Sequence, residues 1–173
     1  QVNDAVDGCV PCGAGEVAAS GSADGCVACP PSLAPNDLKS GCVPCGVGTY
    51  LLGDGSTCQL CAAGSINPNQ NTTCSPCEAG KYSNGARTGC DVCDAGQAVN
   101  GDKDGCDECV GATIAASGSA DGCQPCPDGE APNPTRSACV PCPVGNFLNT
   151  TSGECQMCPA GEVNDDGSGP CDA

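Results

Sequence analysis

The sequence predicts a small disulfide-rich repeat: an elongated, solenoid-like rod of stacked Gly- and Pro-rich loops, with short β-strand pairs and almost no helix. Three observations predict it. Twenty of the 21 cysteines stand as CxxC pairs, and the pairs recur every 16 or 17 residues. They are Cys9/Cys12, Cys26/Cys29, Cys42/Cys45, Cys58/Cys61, Cys74/Cys77, Cys90/Cys93, Cys106/Cys109, Cys123/Cys126, Cys139/Cys142 and Cys155/Cys158, with Cys171 following alone. Gly (26) and Pro (15) supply turns throughout the 173 residues. Val, Ile, Leu and Phe together number only 22, Trp is absent and aromatics are 2%, too little for an ordinary packed core. A repeat this short cannot bury a core alone, so each unit must lean on its neighbours and be held by its sulfurs.

Aligned on the CxxC pairs, the units show two fixed columns. Three residues after the second Cys stand Gly15, Ser32, Gly48, Gly64, Gly80, Gly96, Ala112, Gly129, Gly145 and Gly161. Such a column needs positive φ or leaves no room for a Cβ. Two residues further on stand Val17, Ala34, Tyr50, Ile66, Tyr82, Ala98, Ile114, Ala131, Phe147 and Val163. Larger side chains fall in odd units and mostly smaller ones in even units, so the expected building block is a dyad of about 32 residues with a thin apolar seam. On that register residues 1–8 end a preceding repeat, dyads cover 9–41, 42–73, 74–105, 106–138 and 139–170, and 171–173 start another. A longer period of 97 residues lies above this, because AASGSADGC occupies both 18–26 and 115–123, and Tyr50-Leu51 maps onto Phe147-Leu148.

Dense cysteine reads as disulfide or as metal. Two CxxC pairs 12 to 13 residues apart satisfy a four-thiolate zinc site. Against zinc stand the absence of His, the mere five Lys or Arg available to offset thiolate charge, and two N-glycosylation sequons, Asn71-Thr-Thr and Asn149-Thr-Thr. Disulfides are therefore expected, in an oxidising compartment. Two connectivities keep the repeat. Pairing within dyads joins Cys9 to Cys26, Cys12 to Cys29 and onward to Cys142 with Cys158, leaving Cys171 over. Pairing each second Cys with the next first Cys joins Cys12 to Cys26 and Cys158 to Cys171, leaving Cys9. Only the first accounts for odd-even alternation and it is preferred, although spacing alone does not fix connectivity. Each loop of about 15 residues is then worth roughly 3 kcal/mol in closure entropy. The odd cysteine, Cys171 in the preferred scheme, is expected to bond a continuation of the chain or another subunit.

Catalysis is not expected. Without His, Ser-His and Cys-His nucleophile pairs are excluded. Ten CxxC motifs in Gly-rich loops do not resemble one redox-active thiol at a helix start. Net charge −16 argues against nucleic acid and anionic membrane as partners, and no stretch approaches the length of a membrane span, so direct membrane insertion is not expected. No cofactor is implied. Asn100, Asp102 and Asp104 carry the alternate oxygens of a calcium loop but lack its bidentate Glu, as does the fragment Asn164-Asp165-Asp166-Gly167, so a solvated Asx turn is the simpler reading. Glycans are expected on Asn71 and Asn149, with O-linked sugar on the neighbouring threonines 72, 73, 150 and 151.

The segments CPAGEVNDDG (158–167), CGVGTY (45–50) and CEAGKY (77–82) resemble the surface immobilisation antigens of ciliates. The motif is also similar to ephrin-receptor-like and tumour-necrosis-factor-receptor-like cysteine-rich repeats. The resemblance covers essentially the whole chain and implies a secreted, disulfide-bonded coat protein, usually lipid-anchored. The loops here are shorter and more uniform, and no anchor signal is visible. The expected function is an extracellular, non-catalytic structural protein that assembles with itself into a surface coat or filament. A receptor-type ligand-binding ectodomain is the alternative.

Overall fold

The structure, a computed structural model, describes residues 11–18, 25–165 and 169–172. Cys9, residues 19–24 of the first AASGSADGC copy, and Asp166 and Gly167 lie outside the described residues. Two compact units are distinguished, residues 1–76 with 83–89 and residues 77–82 with 90–173. Both are built from the same module.

The module starts at the second Cys of one CxxC and ends at the first Cys of the next. After the Cys the chain makes a corner at the glycine column, runs out along a short strand, turns at a loop, and returns along the following CxxC as the second strand. Eighteen strands of two to four residues form nine antiparallel pairs, each between strands adjacent in sequence, and no helix occurs among the described residues. In the tenth module the hairpin is reduced to one bridge, Val163 opposite Asp172. The register is constant: the apolar column faces the residue after the first Cys, as in Ala34 with Val43, Tyr50 with Gln59, Ala131 with Val140 and Phe147 with Gln156. Pro44, Pro76, Pro125 and Pro141 sit on these CxxC strands, a place sheets tolerate because an edge strand need not donate every N–H.

All eight glycines of the corner column have φ between 70° and 95°, and Ser32 adopts 74° in the same place. In the seventh module Gly111 takes the positive φ (59°) one residue before Ala112. The corner is also crowded. A Cβ on Gly15 would lie 3.1 Å from the Asp54 carbonyl oxygen, one on Gly96 would lie 2.6 Å from that of Thr135, and one on Gly48 would collide with that of Ala86. Each contact reaches the hairpin tip two modules further on. Modules two apart therefore pack corner against tip, in odd and even modules alike.

The buried apolar set among the described residues is Ala34, Ala98, Ala115 and Ala131 with Cys45, Cys61, Cys93, Cys109 and Cys142. Large aliphatics remain outside; Val27, Val43, Leu60, Val92, Val140 and Met157, all inside CxxC motifs, are exposed. In the apolar column Ala34, Ala98 and Ala131 are buried, Tyr50, Ile66, Tyr82 and Phe147 are half-buried, and Val163 is exposed. The core is alanine and sulfur.

Candidate functional site

The repeated chemistry is the cysteine ladder, and here the preferred pairing is corrected. The ten disulfides are Cys12–Cys26, Cys29–Cys42, Cys45–Cys58, Cys61–Cys74, Cys77–Cys90, Cys93–Cys106, Cys109–Cys123, Cys126–Cys139, Cys142–Cys155 and Cys158–Cys171. Every second Cys bonds the next first Cys, closing one module at a separation of 13 or 14 residues. Cys171 bonds Cys158, not a continuation of the chain or another subunit. The reason lies in the strand. Extended residues alternate faces, so cysteines three positions apart point to opposite sides. One sulfur then closes the hairpin just completed and the other opens the next. Each such loop has Cα–Cα distances of 5.5 to 5.8 Å across its bond, within the normal range. Ten disulfides are the covalent chemistry of oxidising compartments.

Four hairpin loops share a motif missed from sequence: Asn, two residues, a cation, a Ser, Thr or Asp, then Gly or Ala. Asn36, Asn84, Asn100 and Asn133 begin the loops, and Lys39, Arg87, Lys103 and Arg136 take positive φ of 49° to 58°. The Asn carbonyl accepts the cation's backbone N–H at 2.8 to 3.1 Å, while the Asn side-chain oxygen accepts from the next N–H at 2.9 to 3.2 Å. Asn tolerates such Asx turns because its short amide replaces a backbone partner. Asn100 and Asp104, weighed above as calcium ligands, belong to this loop: Asn100 Nδ2 donates to Asp104 Oδ1 at 2.9 Å, as Asn36 Nδ2 donates to Ser40 Oγ. Asp102 is an exposed loop residue. Among the described residues no group of three or more His, Cys, Asp or Glu is placed to hold a metal ion.

The cations then reach backwards. Lys39 Nζ donates to the carbonyls of Cys12 (2.8 Å) and Gly13 (3.1 Å), and Arg136, 97 positions later, donates to Gly111 (2.6 Å) and Thr113 (3.3 Å). Arg87 Nη1 bonds the Ser83 hydroxyl at 2.5 Å. Lys81 pairs with Glu78 at 2.7 Å; this hydrogen bond and the charge beside it hold the Glu78 carboxyl below its usual range. Asp54 is also held low, by hydrogen bonds from Ser56. Lys39 and Arg136 are thus committed to backbone carbonyls, and most carboxylates among the described residues are exposed.

A second feature missed from sequence is the buried asparagine. Asn67 and Asn164 are 1% and 5% exposed, three residues past the corner in modules four and ten. Asn67 Nδ2 donates to the carbonyls of Thr49 and Asn71 at 2.8 and 2.6 Å, and its carbonyl accepts the Gly48 N–H at 2.7 Å. It latches one module to the previous one. The available signal was the recurrence of Asn at 97 residues in a column otherwise mixed.

The sequons separate in the structure. Asn71 is exposed, with its backbone held by Asn67. Asn149 ends a strand, half-buried, with Nδ2 on Gln156 Oε1 at 3.2 Å and Oδ1 accepting from the Thr151 and Ser152 N–H groups. Beside it an open cleft of about 360 Å³ is lined by Asp128, Phe147, Leu148, Thr150 and Pro170. It carries an apolar ring and one carboxylate but no convergent set of polar groups. No protein-family model matches the chain, and no curated protein matches it.

Proposed function

We propose that this chain is an extracellular, non-catalytic structural protein whose self-association forms a surface coat or filament, as in the ciliate antigens its motifs resemble. The observation that carries the reading is the duplication of whole packing arrangements at 97 residues. The Asn67 latch recurs at Asn164, and Lys39, which reaches back to carbonyls of the module before it, has its counterpart in Arg136. A scaffold gains from copying an entire arrangement, whereas a ligand site needs one place that differs. N-linked sugar on Asn71 and Asn149 and O-linked sugar on nearby threonines complete the reading, and no cofactor is required.

Images of the natively secreted protein test it. Filaments or a continuous coat are expected; a monodisperse monomer at high concentration overturns the assembly reading. The cleft beside Phe147 favours a second reading, a receptor-type ectodomain, in which a soluble ligand would bind there and Phe147→Ala would abolish binding.

A further inference from the structure

Every Lys and Arg of the chain lies inside a loop closed by a disulfide: Lys39 within Cys29–Cys42, Lys81 and Arg87 within Cys77–Cys90, Lys103 within Cys93–Cys106, and Arg136 within Cys126–Cys139. Cutting the backbone after any of them leaves both sides joined through the bond that spans the cut. Even with all five cuts, the only piece that can leave is residues 82–87, and the remainder stays one covalent molecule. The disulfides do not span all of the chain, because the two residues inside each CxxC lie between closed loops. The basic residues avoid those stretches. Pairing within dyads would have left Lys39, Lys103 and Arg136 outside any closed loop.

Four of the five cations also sit where a protease of trypsin type cannot engage them. Such an enzyme takes its substrate as an extended strand and inserts the basic side chain into a deep pocket. Lys39, Arg87, Lys103 and Arg136 instead occupy the positive-φ position of an Asn-capped turn. Lys39 and Arg136 have their charged ends on carbonyls of the preceding module, and Arg87 has its own on Ser83. Lys81 is the exception in backbone, on a strand and paired with Glu78 at the surface.

We infer that the fold is built to survive proteases specific for basic residues, by turn geometry that hides the bond and by a disulfide that spans each cut. This stands on connectivity and loop geometry and does not depend on coat or filament formation. The same turn shape argues against the loops acting as inhibitors, which must present an extended strand to the enzyme.

The test is trypsin digestion of the whole native protein, read by intact mass before and after reduction, beside a reduced and alkylated sample. The native chain is expected to lose nothing but residues 82–87 before reduction, with any cut adding only the mass of water. Its cleavage after Lys39, Lys103 and Arg136 is expected to be on the order of tenfold or more slower than in the alkylated chain, because it requires local opening. Release of larger fragments without reductant overturns the spanning-bond half. Cleavage as fast as in the alkylated chain overturns the turn-geometry half. Asn133→Ala, which removes the cap of its loop, is expected to raise cutting after Arg136 about fivefold, the effect of losing roughly one net hydrogen bond, with the chain still held by Cys126–Cys139. An unchanged rate in that variant shows that the cap does not protect the bond.

Discussion

Asn67 and Asn164, 97 positions apart, make the same inter-module hydrogen bond: each side-chain Nδ2 donates to the carbonyl of the residue after the previous module's corner glycine, Thr49 at 2.8 Å and Asn146 at 3.0 Å. Each backbone carbonyl also accepts from that corner glycine, Gly48 at 2.7 Å and Gly145 at 2.8 Å. A polar group this deeply buried contributes by satisfying backbone that would otherwise be dry and unpaired.

Asn67→Leu should therefore destabilise locally by about 1–3 kcal/mol, because the Thr49 and Asn71 carbonyls and the Asn71 N–H lose their partner at once. Amide exchange is the appropriate measurement, since the covalent ladder prevents global unfolding. Faster exchange at Asn71 and Gly48, with modules six to nine unaffected, is the expected pattern. Loss of protection along the whole chain would show that the modules do not respond separately.

The corner glycines separate two costs that usually occur together. Gly48 and Gly145 share a φ near 80°, yet a Cβ on Gly48 would collide with the Ala86 carbonyl, while one on Gly145 meets no described atom within 4 Å. Gly145→Ala should cost only the left-handed backbone penalty, about 1–2 kcal/mol. Gly48→Ala should cost clearly more and should disturb the tip at Ala86 and Arg87. Equal acceleration of amide exchange in the two variants would mean that the corner-to-tip contact yields freely.

Much of this fold was legible. Period, strand pairs and the positive-φ column follow from spacing and residue size. Connectivity was not. The odd-even alternation of residue size reads as a disulfide pattern, yet the bonds close every module alike, and modules two apart pack corner against tip, as in Gly15 with Asp54. The faces of a strand held the answer, since Cys42 and Cys45 are an odd number of residues apart. The loop motif beginning at Asn36, Asn84, Asn100 and Asn133 was also present in the sequence. Aligned on the second cysteine, Asn stands seven and the cation ten residues on in all four modules, a pair of columns overlooked beside the glycine and apolar ones.

The disulfides should not reduce together. Cys61, Cys93, Cys109 and Cys142 are at most 4% exposed and bond half-buried partners, whereas buried Cys45 bonds exposed Cys58, and Cys12, Cys29, Cys77, Cys126 and Cys158 are half-buried like their partners. Exchange needs a thiolate to reach a sulfur, so access orders the rates. Under limiting reductant, alkylation should appear first at Cys45–Cys58, through exposed Cys58, and at Cys12–Cys26, Cys29–Cys42, Cys77–Cys90, Cys126–Cys139 and Cys158–Cys171, ahead of the bonds of Cys61, Cys93, Cys109 and Cys142. Peptide mapping that finds Cys93–Cys106 or Cys142–Cys155 opened first would contradict this order.

Glycan occupancy should be unequal at the two sequons. N-glycosylation replaces one hydrogen of the Asn amide by a bulky sugar, so the site must tolerate that volume in the finished fold. Asn71 presents an exposed side chain on a segment whose position is fixed by the Asn67 latch to its backbone, and a sugar there projects into water without breaking that latch. Asn149 directs Nδ2 at Gln156 across its hairpin and uses Oδ1 to hold the turn through Thr151 and Ser152, so a sugar must displace or crowd the Gln156 side chain. Glycopeptide spectra of secreted material should show higher occupancy at Asn71. Gln156→Ala, which removes the competing acceptor while leaving both sequons intact, should raise occupancy at Asn149 and leave Asn71 unchanged. Higher occupancy at Asn149 in the unaltered protein would show that sugar is added before the hairpin forms and that the folded geometry does not select between the sites.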